Sequence, residues 1–248
     1  MFRCCLSTLL LVPFVPVSSF HLTDNQAARL RRLVRHYSPQ LGKSWRKCTE
    51  DELWLRVVSQ IVVAGNAAPG YVLLRSEAAK RILSYSRLKK LSLRRRRKTI
   101  HMVLQAIGTR YVGKSTKNRK IDAALHNFDA LVEAGGPKRF FQNIAAKKPI
   151  DEKIKALATE LAFYKKKSCR DTLIELRLAT DCLALDQRLR KIMECVGAKV
   201  PRSIDRHYDE IEKELITTVA KPTGLSGGEL DRILFQNYGD IMVRLKCA

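Results

Sequence analysis

The chain has 248 residues, with 47 lysines and arginines against 24 aspartates and glutamates, giving a formal net charge of +23. Such an excess calls for a polyanionic partner, most commonly nucleic acid. With 46% apolar residues, the sequence is too hydrophobic for a disordered basic tail and has room for one large domain or two small units around a cleft. A generic basic RNA-binding protein meets the same bounds.

The first segment, Met1 to Phe20, has Arg3, an apolar run from Leu6 to Val17, then Ser18 and Ser19. It reads as a targeting leader or as an unstructured tail, so residues 1–22 are placed outside the fold and 23–248 are expected to form one domain. The run is short for a membrane span and holds Pro13 and Pro16, so stable membrane insertion is not expected. Seven cysteines (Cys4, Cys5, Cys48, Cys169, Cys182, Cys195 and Cys247) show no C-x-x-C spacing, and the five histidines are scattered. Buried, reduced thiols are predicted, with no metal and no cofactor.

Three helix starts are marked by capping boxes: Thr23 with Gln26, Thr49 with Glu52, and Ser226 with Glu229. After the second, Leu53, Val57, Ile61 and Ala64 form one apolar stripe, with Trp54 and Val58 beside it. Asn66 follows Gly65 as a helix-stop turn or an exposed polar tip. From Ala78 to Ile121 there are 15 lysines and arginines and no acid, including the unbroken run Arg94, Arg95, Arg96, Arg97, Lys98. A run this long repels itself unless an anion lies on it, which predicts phosphate contacts. Ile100, Val103, Leu104 and Ile107 place the run on a packed helix.

Helical spacing continues through Asp122 to Glu133, through Phe140-Phe141 as core, and through Asp151 to Tyr164, with Ile154, Leu157, Ala158 and Leu161 facing inward. Tyr164 leads into the triplet Lys165, Lys166, Lys167, then a predicted helix from Arg170 to Leu178. An apolar run, Leu183-Ala184-Leu185, delivers Asp186 to the start of another helix that carries Leu189, Ile192, Met193 and Val196 and ends at Gly197. At a helix start, amides and the positive dipole end favour an ionised carboxylate; aspartate is also an ordinary N-cap. Adjacent positive charges disfavour protonation of each amine in the triplet. Beyond Pro201 and Ser203 comes an acidic helix predicted to pack away from any nucleic acid. A last helix is predicted over Glu229 to Leu245, with Phe235, Gln236, Asn237 and Tyr238 at its middle. Nothing requires a strand, and the prediction is an all-α fold of two helical subdomains around a cleft.

The hairpin segments Lys165-Lys166-Lys167-Ser168-Cys169-Arg170-Asp171 and Leu185-Asp186-Gln187-Arg188 resemble the helix-hairpin-helix DNA glycosylases, nearest in look to the clusterless 8-oxoguanine glycosylase/lyases. The resemblance implies removal of a flipped, damaged base from double-stranded DNA by an intracellular, monomeric protein without a metal cluster. It assigns Asp186 to stabilising the cationic sugar and Lys167 to nucleophilic attack, with Ser168 at that position if the register shifts by one; simple phosphate binding is the equal alternative for Lys167. It places Lys165, Lys166, Ser168 and Arg170 on DNA. Gln60, Asn66, Phe235 and Gln236 fall at the base pocket or wedge. The family hairpin carries glycines where Lys166 and Ser168 are expected here, a departure that weakens a backbone grip on phosphate. A degenerate DNA-binding relative and a basic helical RNA-binding protein are the alternatives.

Overall fold

All three predicted capping boxes form. Thr23 accepts the Gln26 amide while Gln26 accepts that of Thr23, and the pairs Thr49/Glu52 and Ser226/Glu229 repeat the exchange. They open α1 (Asp24–Val34), α2 (Glu50–Val62) and α13 (Gly227–Gln236) in the computed structural model, which describes residues 20–247. The leader-like segment, with Cys4 and Cys5, lies outside the described residues apart from Phe20. Between these helices run α3 (Ala68–Arg75), α4 (Glu77–Ile82), α5 (Tyr85–Leu88), α6 (Leu93–Ala106), α7 (Arg119–Glu133), α8 (Pro137–Ala146), α9 (Ile150–Glu160), α10 (Lys166–Glu175), α11 (Gln187–Cys195) and α12 (Tyr208–Leu215). The last helix is α14 (Tyr238–Arg244), and no strand occurs among the described residues. The all-α prediction holds.

Two hydrophobic clusters organise these helices. The first surrounds α2, whose Leu53, Trp54, Val57, Val58 and Ile61 are fully buried against α3, α5, α7 and α8. The Trp54 indole donates to the Leu83 carbonyl at 2.7 Å and meets Phe128 edge to face, so a large apolar side chain is buried with its one polar atom satisfied. The second cluster joins α1, α11, α12, α13 and α14. Phe20 and Leu22 are buried in it, so the folded region begins before residue 23. The boundary at residue 22 moves because Phe20 and Leu22, 6% and 1% exposed, are part of this core.

The segment between α10 and α11 joins the two clusters. Cys182 and Ala184 belong to the first, whereas Leu183 and Leu185 belong to the second. An extended backbone sends successive side chains to opposite sides, so one short run faces both cores and its end, Asp186, is fixed by both.

Several predicted boundaries move. Ala158 is exposed, because α9 ends at Glu160 and buries little beyond Leu157. The helix expected over Arg170–Leu178 starts earlier, at Lys166, and stops at Glu175. The last helix breaks at Asn237, whose side-chain amide donates to the Ile233 carbonyl at 2.9 Å, a local bond that competes with the helical ladder.

Candidate active site

The turn between α9 and α10 is held from both sides. Buried Asn127 on α7 accepts the Ala162 amide at 2.6 Å and donates back to the Ala162 carbonyl at 3.1 Å. Ser168 Oγ accepts the Lys165 amide at 2.7 Å and donates to the Phe163 carbonyl at 3.2 Å. Ser168 is therefore used in closing the turn rather than offered to DNA or to a reaction. The residue in the left-handed region is Phe163, at φ 68. This corrects the expected places of the hairpin glycines: Lys166 and Ser168 lie in helical α10, and the turn demands positive φ at Phe163.

The three lysines part company at this turn. Lys165 is the exposed N-cap of α10, Lys166 pairs with Asp209 of α12 at 3.1 Å, and Lys167 lies half-exposed, its amine 3.6 Å from Asp171. Arg170, expected on DNA, is 4% exposed; its guanidinium grips Glu212 of α12 at 2.7 Å and stacks on Tyr208. That assignment is withdrawn, since the charge is already spent on a buried partner. Through this pair the acidic helix α12 packs onto the hairpin helix α10. Burial alone would lower the Arg170 pKa, but its bonds and charge attraction to Glu212 outweigh that and raise it.

Asp186 caps α11. Its Oδ1 accepts the amides of Arg188 at 2.9 Å and Leu189 at 3.0 Å. Its Oδ2 accepts no hydrogen bond among the described residues, and the side chain is half-exposed. The backbone that presents it is fixed amide by amide: Leu183 N donates to Glu212 at 2.8 Å, Ala184 N to Asp231 at 2.8 Å, and Leu185 N to the Tyr208 hydroxyl at 2.8 Å. Tyr208 in turn donates to the Leu183 carbonyl at 2.9 Å. This is the burial rule at work: an apolar loop can cross the interior only if each of its amides finds an acceptor.

An ion network joins the hairpin to α13. Asp171 Oδ1 receives Arg232 at 2.6 Å and Oδ2 receives Gln60 of α2 at 2.8 Å. Arg232 also reaches Glu175 at 3.3 Å, and Arg56 of α2 completes that carboxylate at 2.7 Å. Burial pushes the Asp171 carboxyl up, but the Lys167 and Arg232 charges and the bonds from Gln60 and Arg232 win, bringing its pKa to about 2. Burial wins at Asp231, raising it to about 7 despite the neighbouring Arg232 charge, with Asp171 adding to the rise.

The residues expected at the base pocket or wedge each have partners of their own. Gln60 is bound to Asp171. Asn66 is exposed and accepts the Ala68 amide at 3.1 Å, at the start of α3. Phe235 is half-buried beneath Arg188, whose guanidinium lies 4.5 Å from its ring centre; Gln236 exchanges bonds with the backbone of Gln40. Within the arginine run, Arg96 pairs with Asp129 and lies over the Phe128 ring, and Arg97 pairs with Asp122. Exposed Arg94, Arg95 and Lys98 form no ion pair with the described residues. Sequence reasoning missed Asp171, Tyr208, Glu212, Asp231 and Arg232. Only the i, i+4 spacing of Lys167 and Asp171 was a local signal for any of them. Two clefts, one of about 400 Å³ beside Gly42 and Arg177 and one of about 690 Å³ between α11 and α14, are lined by neither Lys167 nor Asp186.

The helical fold that carries this hairpin and its helix-capping aspartate is shared by solved structures. The 8-oxoguanine DNA glycosylase of Methanocaldococcus jannaschii superposes with a TM-score of 0.61 at 15% identity, covering 88% of this chain and 92% of that one. The glycosylase/lyase from that organism, in complex with a 15mer DNA containing 8-oxoguanine, gives 0.60 at 16%, covering 86% and 91%. The 8-oxoguanine DNA glycosylase of Thermotoga maritima gives 0.54 at 18%, covering 85% of each. No protein-family model and no curated protein sequence matches the chain. At these identities the likeness establishes the fold.

Proposed function

We propose that this protein is a DNA base-excision glycosylase with lyase activity, acting on an oxidised purine in double-stranded DNA. The observation that carries the reading is Asp186: one oxygen is anchored by two amides of α11 and the other accepts no bond among the described residues, on a fold where Lys167 lies in the first turn of the hairpin helix nineteen residues earlier.

Asp186 would stabilise the positive charge that develops on the sugar only as the bond to the base breaks. Its anchored oxygen keeps the carboxylate oriented without reorganisation. The neutral Lys167 amine would form a bond to C1′ while the bond to the base nitrogen breaks, and the departing base takes up a proton. Opening of the sugar ring leaves an imine, from which loss of a C2′ proton expels the 3′ phosphate. Lys165, Arg94, Arg95 and Lys98, all exposed, supply cations for the phosphate backbone, so binding would weaken steeply with salt. The work is intracellular, wherever DNA is kept.

Duplexes carrying 8-oxoguanine, uracil, an alkylated base or an abasic site, incubated with borohydride, test the reading. Base release abolished in Asp186→Asn and a covalent adduct abolished in Lys167→Gln are the expected results. Unchanged base release in Asp186→Asn removes the assignment of that carboxylate. Duplex binding without turnover fits a degenerate relative, for which Phe163 in a position favouring glycine is the motivating observation. Tighter binding to RNA than to duplex DNA defeats the repair reading.

A further inference from the structure

We propose that Gln60 and Arg232 are positioning residues that occupy the two oxygens of Asp171 and so hold this carboxylate off the Lys167 amine. The proposal rests on the function above. A formed charge-assisted N–H···O bond is about 2.7–2.9 Å long; the Lys167–Asp171 separation is 3.6 Å. Two partners stand closer to the carboxylate than Lys167 does and compete with it: Gln60 at 2.8 Å on Oδ2 and Arg232 at 2.6 Å on Oδ1. An amine locked in a contact ion pair must break that pair before it can attack carbon, and this arrangement loosens the pair in advance.

The charges facing Lys167 are few. On its own helix they are Lys165, Lys166 and Asp171, with Lys166 already paired to Asp209 of α12. From α13 come Arg232 and Asp231. From α2, Gln60 is neutral, and Arg56 is committed to Glu175. Arg232 is itself held by Asp171, Glu175 and Asp231, so its position is over-determined by carboxylates on two helices. The low pKa of Asp171, about 2, means that it stays an anion throughout the range in which a glycosylase would be assayed.

Gln60 is half-buried and is the partner that can be removed without stranding a buried charge. The experiment measures borohydride-trapped adduct on a preformed abasic duplex from pH 5.5 to 9.5, which bypasses base recognition. In Gln60→Leu, Oδ2 is released to Lys167; trapping at pH 7 should fall roughly tenfold and return at alkaline pH, a displacement of about one pH unit. Gln60→Met should reproduce the displacement, and adding Asp171→Asn to Gln60→Leu should abolish it. A profile that ignores Gln60→Leu, or a loss that alkaline pH does not restore, overturns this proposal alone. Absence of any Lys167-dependent adduct in the unaltered protein overturns it together with the function beneath it.

Discussion

Replacing Arg170 by methionine should be among the most costly single changes in the chain. The guanidinium is 4% exposed and makes three bonds of 2.7, 2.9 and 2.7 Å to Glu212, whose side chain is only 12% exposed. Methionine keeps much of the apolar stem that lies on Tyr208 but removes the charge, leaving Glu212 as an uncompensated buried carboxylate. Breaking such a pair from one side costs about 3–5 kcal/mol. Set against a total stability of about 5–15 kcal/mol, that is a large fraction. For a chain of this size it corresponds to a drop of roughly 6–20 °C in Tm. The companion pair to Asp209, 69% exposed, should add little. The assay is urea unfolding followed by circular dichroism, with the double variant Arg170→Met/Glu212→Gln as control. Glutamine can still accept the Leu183 amide that Glu212 holds, so the double variant should recover most of the loss. A single-variant loss below about 1 kcal/mol, or a double variant no better than the single, would refute the claim that the buried charge, rather than packing, sets the cost.

Two further outcomes follow from the network and the turn. Asp231 has a folded-state pKa of about 7 against a reference of 3.8, so its contribution favours folding in full below about pH 4 and is lost as pH rises through 7. Asp171 has the opposite sign: its contribution is present above about pH 4 and is lost as pH falls through about 2. Between pH 5 and 9 the stability of the unaltered protein should therefore decline by up to a few kcal/mol, and Asp231→Asn should flatten that slope. A slope equally steep in the variant refutes the assignment. At the hairpin, Phe163→Gly relieves about 1–2 kcal/mol of left-handed strain and adds about 0.5–1 kcal/mol of unfolded-state entropy. The net should be a Tm unchanged or higher by a few degrees; a clear fall means that the partly exposed ring is needed for packing.

How much was readable in advance depended on distance along the chain. The capping boxes at Thr23, Thr49 and Ser226 formed as expected, because both partners lie within one turn and their geometry is set by the backbone. The apolar stripe of α2 and the cap at Asp186 were legible for the same reason. Arg170 was misplaced because its partner Glu212 lies 42 residues away, and charge in a sequence carries no mark of whether it is solvated or paired. The bond from Gln60 to Asp171, 111 residues distant, leaves no mark in the sequence either.

The sequence by itself determined that the chain is helical, basic and built around a hairpin that leads to a helix-capping aspartate, since periodicity and capping are local properties of side-chain spacing. The tertiary structure alone decided which charges are free. Burial and pairing spend Arg96, Arg97 and Arg170 on carboxylates, tie down the amides of residues 183–185, and leave Lys165, Arg94, Arg95 and Lys98 facing solvent. The reason is that a charge or an amide removed from water must find a partner, and only the folded chain brings partners from distant helices within reach.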